Sequence, residues 1–106
     1  MKIYLACPYS HKNGTIRHQR FIEANDIAAQ LMKQGHHVFS PISHTHPIAI
    51  QCDLPLGFDF WEEYDTCFIG WCDEVFVLRL NGWAESKGVK AEIKIATKLK
   101  KPVRYI

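Results

Sequence analysis

Residues Lys2–Ala6, with the sequence KIYLA, form a short and mostly apolar run that is typical of a buried strand. The next residues, 7–14 (CPYSHKNG), include Pro8 and other turn formers and predict a loop. From Thr15 to Gln34 the apolar residues recur at close to helical spacing, and Gly35 is a natural stop. The chain is therefore expected to open with a strand, a loop and a helix.

The remainder of the chain repeats this alternation. Alternating strands and helices predict a three-layer, doubly wound, flavodoxin-like or Rossmann-like α/β fold with a parallel sheet of about four to five strands. The further strands are expected at His36–Ser40, Glu74–Leu80 and Pro102–Ile106, and the further helices at Phe58–Trp71 and Val89–Lys100.

Three segments are expected at the carboxyl ends of the strands, which is where ligands bind in such sheets. They are the loops 7–14, 41–57 and 81–88. The middle segment is interpreted as a long irregular loop because three prolines punctuate it. The chemistry of the protein is therefore expected in these loops and at the helix starts that follow them.

Length and composition limit the possible functions. The chain has 106 residues, which favours a single domain over residues 1–106. Its formal net charge of +2 is too small to indicate binding of a nucleic-acid polymer. The apolar stretches are too short for a membrane span or a signal peptide, so a cytoplasmic protein without a membrane partner is expected. The cysteines form no CxxC pair and are interpreted as reduced thiols.

Glu92 is the most informative anomaly in the sequence. It lies inside the apolar arc of the last helix, and a carboxylate there costs free energy unless it is paired or used. The start of a helix favours the ionised form while partial burial disfavours it, and a poorly hydrated carboxylate is a good nucleophile. A structural glutamate bound to the backbone or to an arginine is the alternative. The apolar arc is formed by Val89, Ile93, Ala96 and Leu99.

The first strand and loop carry further polar candidates. A strand–loop–helix junction is a common phosphate site, and Ser10 is interpreted either as a phosphate ligand or as a turn residue. Arg17 and Arg20 in the next helix can supply positive charge. Tyr4 lies inside the first strand, where a phenol usually has a hydrogen-bond partner. No GxGxxG or Walker pattern is present, so neither NAD nor ATP is expected.

Two histidines and one tryptophan stand out in the other loops. His44 and His46 lie two positions apart, and a metal site completed by Cys52 or Asp53 is conceivable. No second ligand cluster with a recognised spacing follows, so contact with the substrate or bracing of the loop is favoured over metal binding. Trp83, in the loop 81–88, is a candidate for stacking on a planar base.

Several stretches together resemble the nucleoside 2-deoxyribosyltransferase family and the related deoxynucleoside-monophosphate N-glycosidases. Residues 3–8 (IYLACP) are similar to the first strand and loop of these enzymes. Residues 86–92, with the pattern Ser-x-Gly-Val-x-x-Glu, resemble the signature that carries their catalytic glutamate. Asp65 matches an aspartate that these enzymes place by the sugar. The segment 40–48 (SPISHTHPI) is similar to an uncharacterised, largely bacterial and phage branch beside them.

The resemblance implies a role for each matching residue. Glu92 would attack the anomeric carbon, and Tyr4 would orient its carboxylate. Asp65 would contact the sugar or assist the departing base. The 5′ end of the substrate would be held by Ser86 and Gly88, with Pro8 and Ser10 in the first loop. The family needs no metal or other cofactor and assembles as homodimers or larger oligomers.

The favoured function is therefore cleavage or transfer at the N-glycosidic bond of a (deoxy)nucleoside or nucleotide, through a glutamate nucleophile. Relatives usually have glycine where this chain has Cys7, and the stretch before Ser86 is longer here, so the identity of the substrate does not transfer. Two alternatives stay open. One is a nucleotide-binding module without turnover, and the other is a metal-dependent enzyme that uses His44 and His46.

Overall fold

The protein is built around a four-stranded parallel sheet with the strand order β2-β1-β3-β4 in the computed structural model, which describes residues 1–55 and 57–106. Four helices surround the sheet, and a short 3₁₀ turn covers Trp83–Glu85. This architecture confirms the predicted doubly wound α/β fold. The strands are β1 (Lys2–Ala6), β2 (His37–Phe39), β3 (Glu74–Val77) and β4 (Val103–Tyr105), and the helices are α1 (Gly14–Lys33), α2 (Pro41–Cys52), α3 (Phe58–Trp71) and α4 (Lys87–Lys98).

The central strand β1 supplies the core on both faces of the sheet. Ile3 and Leu5 point to one side and pack with buried residues of α1, whereas Tyr4 and Ala6 point to the other side and pack with α3 and α4. All four side chains are fully buried, as the alternation of a strand between two helical layers requires. Burial of each large apolar side chain contributes about 1.5–3 kcal/mol to stability. The one fully buried polar side chain of this strand, Tyr4, therefore has its hydroxyl in the layer shared with α3 and α4.

The segment expected to be a long loop contains helix α2, so this part of the sequence interpretation was wrong. Ser40 caps the helix by accepting a hydrogen bond from the Ser43 backbone N–H, and Pro41 occupies the first turn, where a missing N–H costs nothing. Pro47 stands inside the helix and removes one backbone hydrogen bond, which is costly in isolation. Burial of Ile42 and His46 offsets that cost, so tertiary packing overrides the proline signal.

The remaining differences between the predicted and the observed elements are small shifts of the residues at which strands and helices begin or end. β3 ends at Val77, whereas the sequence predicted a strand to Leu80. Its neighbour β1 is paired up to Ala6, opposite Val77. Pro8 follows two residues later and has no N–H to extend the ladder. Helix α4 begins at Lys87, two residues before the predicted start, because Ser86 caps it.

Within the described part of the chain, none of the helices has the length and apolar character needed to cross a lipid bilayer.

Candidate active site

A cavity of about 110 Å³ lies beyond the carboxyl ends of β1 and β3, at the sheet edge where the topology predicts a ligand. Its walls come from the loop after β1, helix α2, Pro55 in the segment that follows α2, helix α3 and the first two turns of α4. The lining residues that bear polar side chains are Cys7, Tyr9, Ser10, Thr45, Trp61, Asp65, Ser86 and Glu92.

Helix α4 brings Glu92 to this cavity. The Ser86 hydroxyl caps the helix by accepting a hydrogen bond from the Val89 N–H at 3.2 Å. Glu92 lies in the second turn on the same face as Val89 and Ala96, which are both buried. Its side chain is only 6% exposed, so the carboxylate that the sequence placed on the apolar face is buried in the structure.

Asp65 approaches the same point from α3. It is 8% exposed, and it lies on the buried face of that helix with Ile69. The hydroxyl of Tyr4 donates a hydrogen bond to Glu92 Oε2 and also interacts with the Asp65 carboxylate. The structure therefore brings together three residues that are far apart in the sequence, with one phenol between two buried carboxyl groups.

Burial changes the acidity of every member of this cluster. It raises the pKa of Asp65 to about 6, and the hydrogen bond from Tyr4 opposes this rise. Burial and the nearby Asp65 charge raise the pKa of Glu92 well above its usual range, again against the hydrogen bond from Tyr4. Burial and the two carboxylates also raise the pKa of the Tyr4 hydroxyl, so this phenol remains a donor. Strongly shifted acids that share a cavity are a recurring property of active sites.

The start of α4 forms another part of the cavity wall. Ser86 and Gly88 both line it, as does Ser10 in the loop after β1. A helix start presents backbone N–H groups and a partial positive charge, which suits the hydroxyl or phosphate end of a ligand. The described residues that line the cavity include no lysine or arginine.

The chain is similar to known proteins both in sequence and in structure. The family model named DUF1937, which is described as a domain of unknown function, matches residues 1–106. The chain belongs to the DUF1937 family. Its structure is similar to that of a 2-deoxyribosyltransferase from the psychrotolerant bacterium Bacillus psychrosaccharolyticus, with a TM-score of 0.70 and 25% identity. The match covers 99% of this chain and 71% of that chain.

The 2-deoxyribosyltransferase from Bacillus psychrosaccharolyticus is described as a biocatalyst for the industrial synthesis of antiviral and antitumoral nucleosides. A search of curated proteins found no match. The resemblance of this DUF1937 chain to 2-deoxyribosyltransferases, inferred from its sequence, is therefore confirmed at the level of fold and superfamily.

Not every residue singled out in the sequence reaches the cavity of the DUF1937 chain. Pro8, in the first loop, is fully buried and does not line the cavity. Trp83 packs against the core layer of α3 and α4, with its ring 5.6 Å from that of Tyr105, and so does not line the cavity. His44 is exposed and its ring lies 5.9 Å from that of Phe39, on the far side of α2.

His46 has different surroundings from His44, because residues two apart on a helix point about 200° away from each other. It is 3% exposed, and its two ring nitrogens contact the Tyr9 hydroxyl and the His18 ring. The pair therefore cannot converge on one ion in the way that the loop interpretation required. Within the described residues, no group of three or more histidine, cysteine or acidic side chains is arranged to hold a metal.

Sequence reasoning missed the wall of the cavity opposite the carboxylates. Ile42 and Thr45 on α2 line it, together with Tyr9, Phe58 and Trp61. The Trp61 ring N–H is already bonded to the Pro55 carbonyl at 2.8 Å, so this indole presents mainly apolar surface. One signal for this wall was present in the sequence, which was the position of Trp61 in the first turn of a helix that follows a loop. Helix α2, which completes the wall, was not predicted.

Proposed function

We propose that this chain cleaves or transfers at the N-glycosidic bond of a (deoxy)nucleoside or nucleotide, with Glu92 as the nucleophile. The observation that carries the proposal is the pair of buried carboxyl groups, Glu92 and Asp65, joined through the Tyr4 hydroxyl in a cavity at the ligand-binding edge of the sheet. The similarity to a solved 2-deoxyribosyltransferase supports the same class of reaction.

The raised pKa values give the two carboxyl groups different tasks. Burial and mutual repulsion favour a state in which the pair holds one proton near neutral pH. A bound nucleoside selects the arrangement in which Asp65 is protonated and Glu92 is ionised, because the anomeric carbon develops positive charge. Tyr4 donates to the Glu92 carboxylate and holds it in one orientation. One acid and one nucleophile then face the same substrate.

The reaction follows from this division of charge. An oxygen of Glu92 bonds to the anomeric carbon as the bond from that carbon to the base nitrogen breaks, through an oxocarbenium-like transition state. The electron pair of the broken bond stays on the base nitrogen, which takes the proton of Asp65. Water or the nitrogen of a second base then attacks the anomeric carbon, returns a proton to Asp65 and releases Glu92. The first acceptor gives hydrolysis and the second gives transfer.

The two ends of the substrate fit different walls. The 5′ end lies at the start of α4, where Ser86 and Gly88 line the cavity with Ser10 nearby. The base lies toward the apolar wall, where Trp61 and Phe58 offer surface for a planar ring. The sugar is then placed between them, above Glu92. Trp83 and His44 lie outside this arrangement, so the proposal assigns them no contact with the substrate.

The direct test is to trap the intermediate. A panel of deoxynucleosides and their monophosphates is assayed first, and a 2-fluoro analogue of the best substrate is then incubated with the protein. We expect a sugar adduct on the peptide that contains Glu92 in peptide mass spectrometry, because a 2-fluoro group slows release of the intermediate. The matched control is Glu63→Gln, which removes an exposed carboxylate on α3 and should still form the adduct.

Two results would contradict the proposal. An adduct on any residue other than Glu92 would show that the nucleophile is misassigned. Turnover of no member of the panel, with ligand binding retained, would leave a nucleotide-binding module without catalytic activity.

A further inference from the structure

A second hydrogen-bonded network lies behind the α2 wall of the cavity. The Tyr9 hydroxyl and His46 Nδ1 are 2.5 Å apart, and His46 Nε2 and His18 Nδ1 are 3.3 Å apart. The His46 ring also stacks on Phe21, with centroids 4.5 Å apart. Tyr9 lines the cavity, His46 is buried and His18 is exposed. The three side chains therefore form a continuous array from the cavity to solvent.

The backbone at Tyr9 is held in place from the side of α1. The Arg20 guanidinium donates to the carbonyl oxygens of Tyr9 and Ser10, each at 3.3 Å, and to that of Asn81 at 3.1 Å. These bonds tie the loop after β1 to the loop after β3. A side chain at Gly82 would crowd this guanidinium, because an added Cβ would lie 3.1 Å from Arg20 Nη2. Tyr9 is thus fixed at both its backbone and its hydroxyl.

The direction of the hydrogen bonds in the array depends on how many protons it holds. When both imidazoles are neutral, the phenol proton finds its acceptor in His46 Nδ1, and the proton on His46 Nε2 points to His18 Nδ1. Tyr9 then offers only oxygen lone pairs to a ligand. One additional proton on either imidazole makes His46 Nδ1 a donor, so Tyr9 accepts from it and turns its own proton toward the cavity.

We propose that Tyr9 is a specificity-determining residue of the cavity and that His46 and His18 set whether its hydroxyl accepts or donates to the ligand. The inference rests on the proposed function, because the ligand is taken to be a nucleoside or nucleotide. In the neutral array Tyr9 selects a donor group, such as a sugar hydroxyl or the amino group of a base. In the protonated array it rejects the same group.

The surroundings of His46 favour the neutral array at neutral pH. The titratable or charged groups that face it are Arg17 and His18 from α1 and Tyr9 from the first loop. Burial comes first among the causes that lower the pKa of His46, and a positive charge on His18 or on Arg17 lowers it further. Protonation of this imidazole therefore occurs below the ordinary histidine value of about 6.5. The loss of ligand affinity is expected on the acid side of that value.

The test compares ligand affinity in matched variants. We measure Kd for the best-bound deoxynucleoside by titration calorimetry between about pH 5 and pH 8. Tyr9→Phe keeps the ring and removes the hydroxyl, and we expect Kd to rise about tenfold at neutral pH. His46→Gln should give a similar rise. The double variant should be no weaker than either single variant, because both remove the same hydrogen bond to the ligand.

The pH profiles separate this role from a structural one. Asp65 also titrates near pH 6, so the informative quantity is the difference between the wild-type and Tyr9→Phe profiles. We expect wild type to lose more affinity than Tyr9→Phe on the acid side. His18→Gln, a change at an exposed residue, should move the midpoint of that difference. His37→Gln, another exposed histidine change that lies in β2, should leave the wild-type profile unchanged.

Several outcomes decide the proposal. Parallel wild-type and Tyr9→Phe profiles would overturn it, as would unchanged Kd in both single variants or the absence of nucleoside binding. If His46→Gln does not fold, Tyr9→Phe and His18→Gln carry the test. Binding with the expected variant differences but without turnover would uphold this role for Tyr9 and refute only the proposed catalysis.

Discussion

Two tyrosine-centred networks border the cavity. In one the Tyr4 hydroxyl lies between the carboxyl groups of Glu92 and Asp65, and in the other the Tyr9 hydroxyl meets His46. The first network is sealed, since Tyr4 is fully buried and both carboxyl groups are less than a tenth exposed. The second continues through His18 to solvent.

Burial has opposite effects on the titratable groups of the two networks. In the sealed network, burial favours retention of a proton, because a buried carboxylate is poorly solvated. In the open network, burial and the nearby Arg17 charge favour loss of a proton from His46. The sealed side is thereby suited to bond making and proton transfer, and the open side to selecting what binds.

The largest expected effect is on kcat, and it distinguishes the network of Glu92 from the network of Tyr9. Glu92→Gln keeps the size and the acceptor for Tyr4 but removes the charge. We expect kcat to fall by at least about 10³-fold while the protein folds and binds ligand normally. Tyr9→Phe should instead act mainly on KM. Steady-state kinetics with both variants checks this, and a Glu92→Gln protein with near-normal kcat would remove the distinction.

The next effect concerns the proton on the sealed side. Asp65→Asn cannot supply a proton to the departing base, and we expect kcat to fall by about 10²-fold. In wild type, kcat/KM should fall as the pH drops below about 6, because both carboxyl groups are then protonated. In Asp65→Asn that acid limb should persist but move to lower pH, because Glu92 must still be ionised and the Asp65 charge that raises its pKa is gone. A limb that keeps its wild-type position in this variant would assign it to a group outside this pair.

A smaller effect is expected where α4 begins. Ser86→Asp keeps a good helix cap but places a negative charge at the 5′ end of the ligand. Binding of a deoxynucleoside monophosphate should weaken about tenfold more than binding of the matching deoxynucleoside. Calorimetric titrations of both ligands measure this ratio. Equal losses for the two ligands would show that no phosphate binds at this helix start.

The smallest effect is on stability. Because the pKa of Glu92 is raised in the folded state, the unfolded chain releases its proton first as the pH rises above about 4.3. The wild-type protein therefore loses stability on going to higher pH, and Glu92→Gln loses less, because it keeps only the buried Asp65, whose pKa is also raised. We expect the variant to be more stable than wild type at pH 8, with little difference at pH 4.

Urea denaturation at both pH values measures this difference. Glu63→Gln, which changes an exposed carboxylate, is the control and should alter stability little at either pH. A Glu92→Gln protein that is less stable at pH 8 would identify the carboxylate as a structural brace.

Two members of the sealed network could be predicted from the sequence, because each of them breaks a local rule. Glu92 interrupts the apolar arc of a helix, and Tyr4 places a hydroxyl in a central strand. Asp65 came only from the family resemblance, since nothing in its local pattern distinguishes it from an exposed helical aspartate. The open network was only partly foreseen. The sequence singled out His46 only together with His44. The partners of these two residues depend on helix α2, which was not predicted because it contains Pro47.

The sequence alone was sufficient to predict the order of the strands and of helices α1, α3 and α4, because hydrophobic periodicity and turn residues are local properties. It also placed Glu92 on a buried face, since a helix repeats every 3.6 residues whatever surrounds it. Tertiary structure alone decided that Tyr4, Asp65 and Glu92 meet, and that Tyr9, His46 and His18 form a path to solvent. These contacts join residues far apart in the chain, and they arise because parallel strands bring their carboxyl ends to one edge of the sheet.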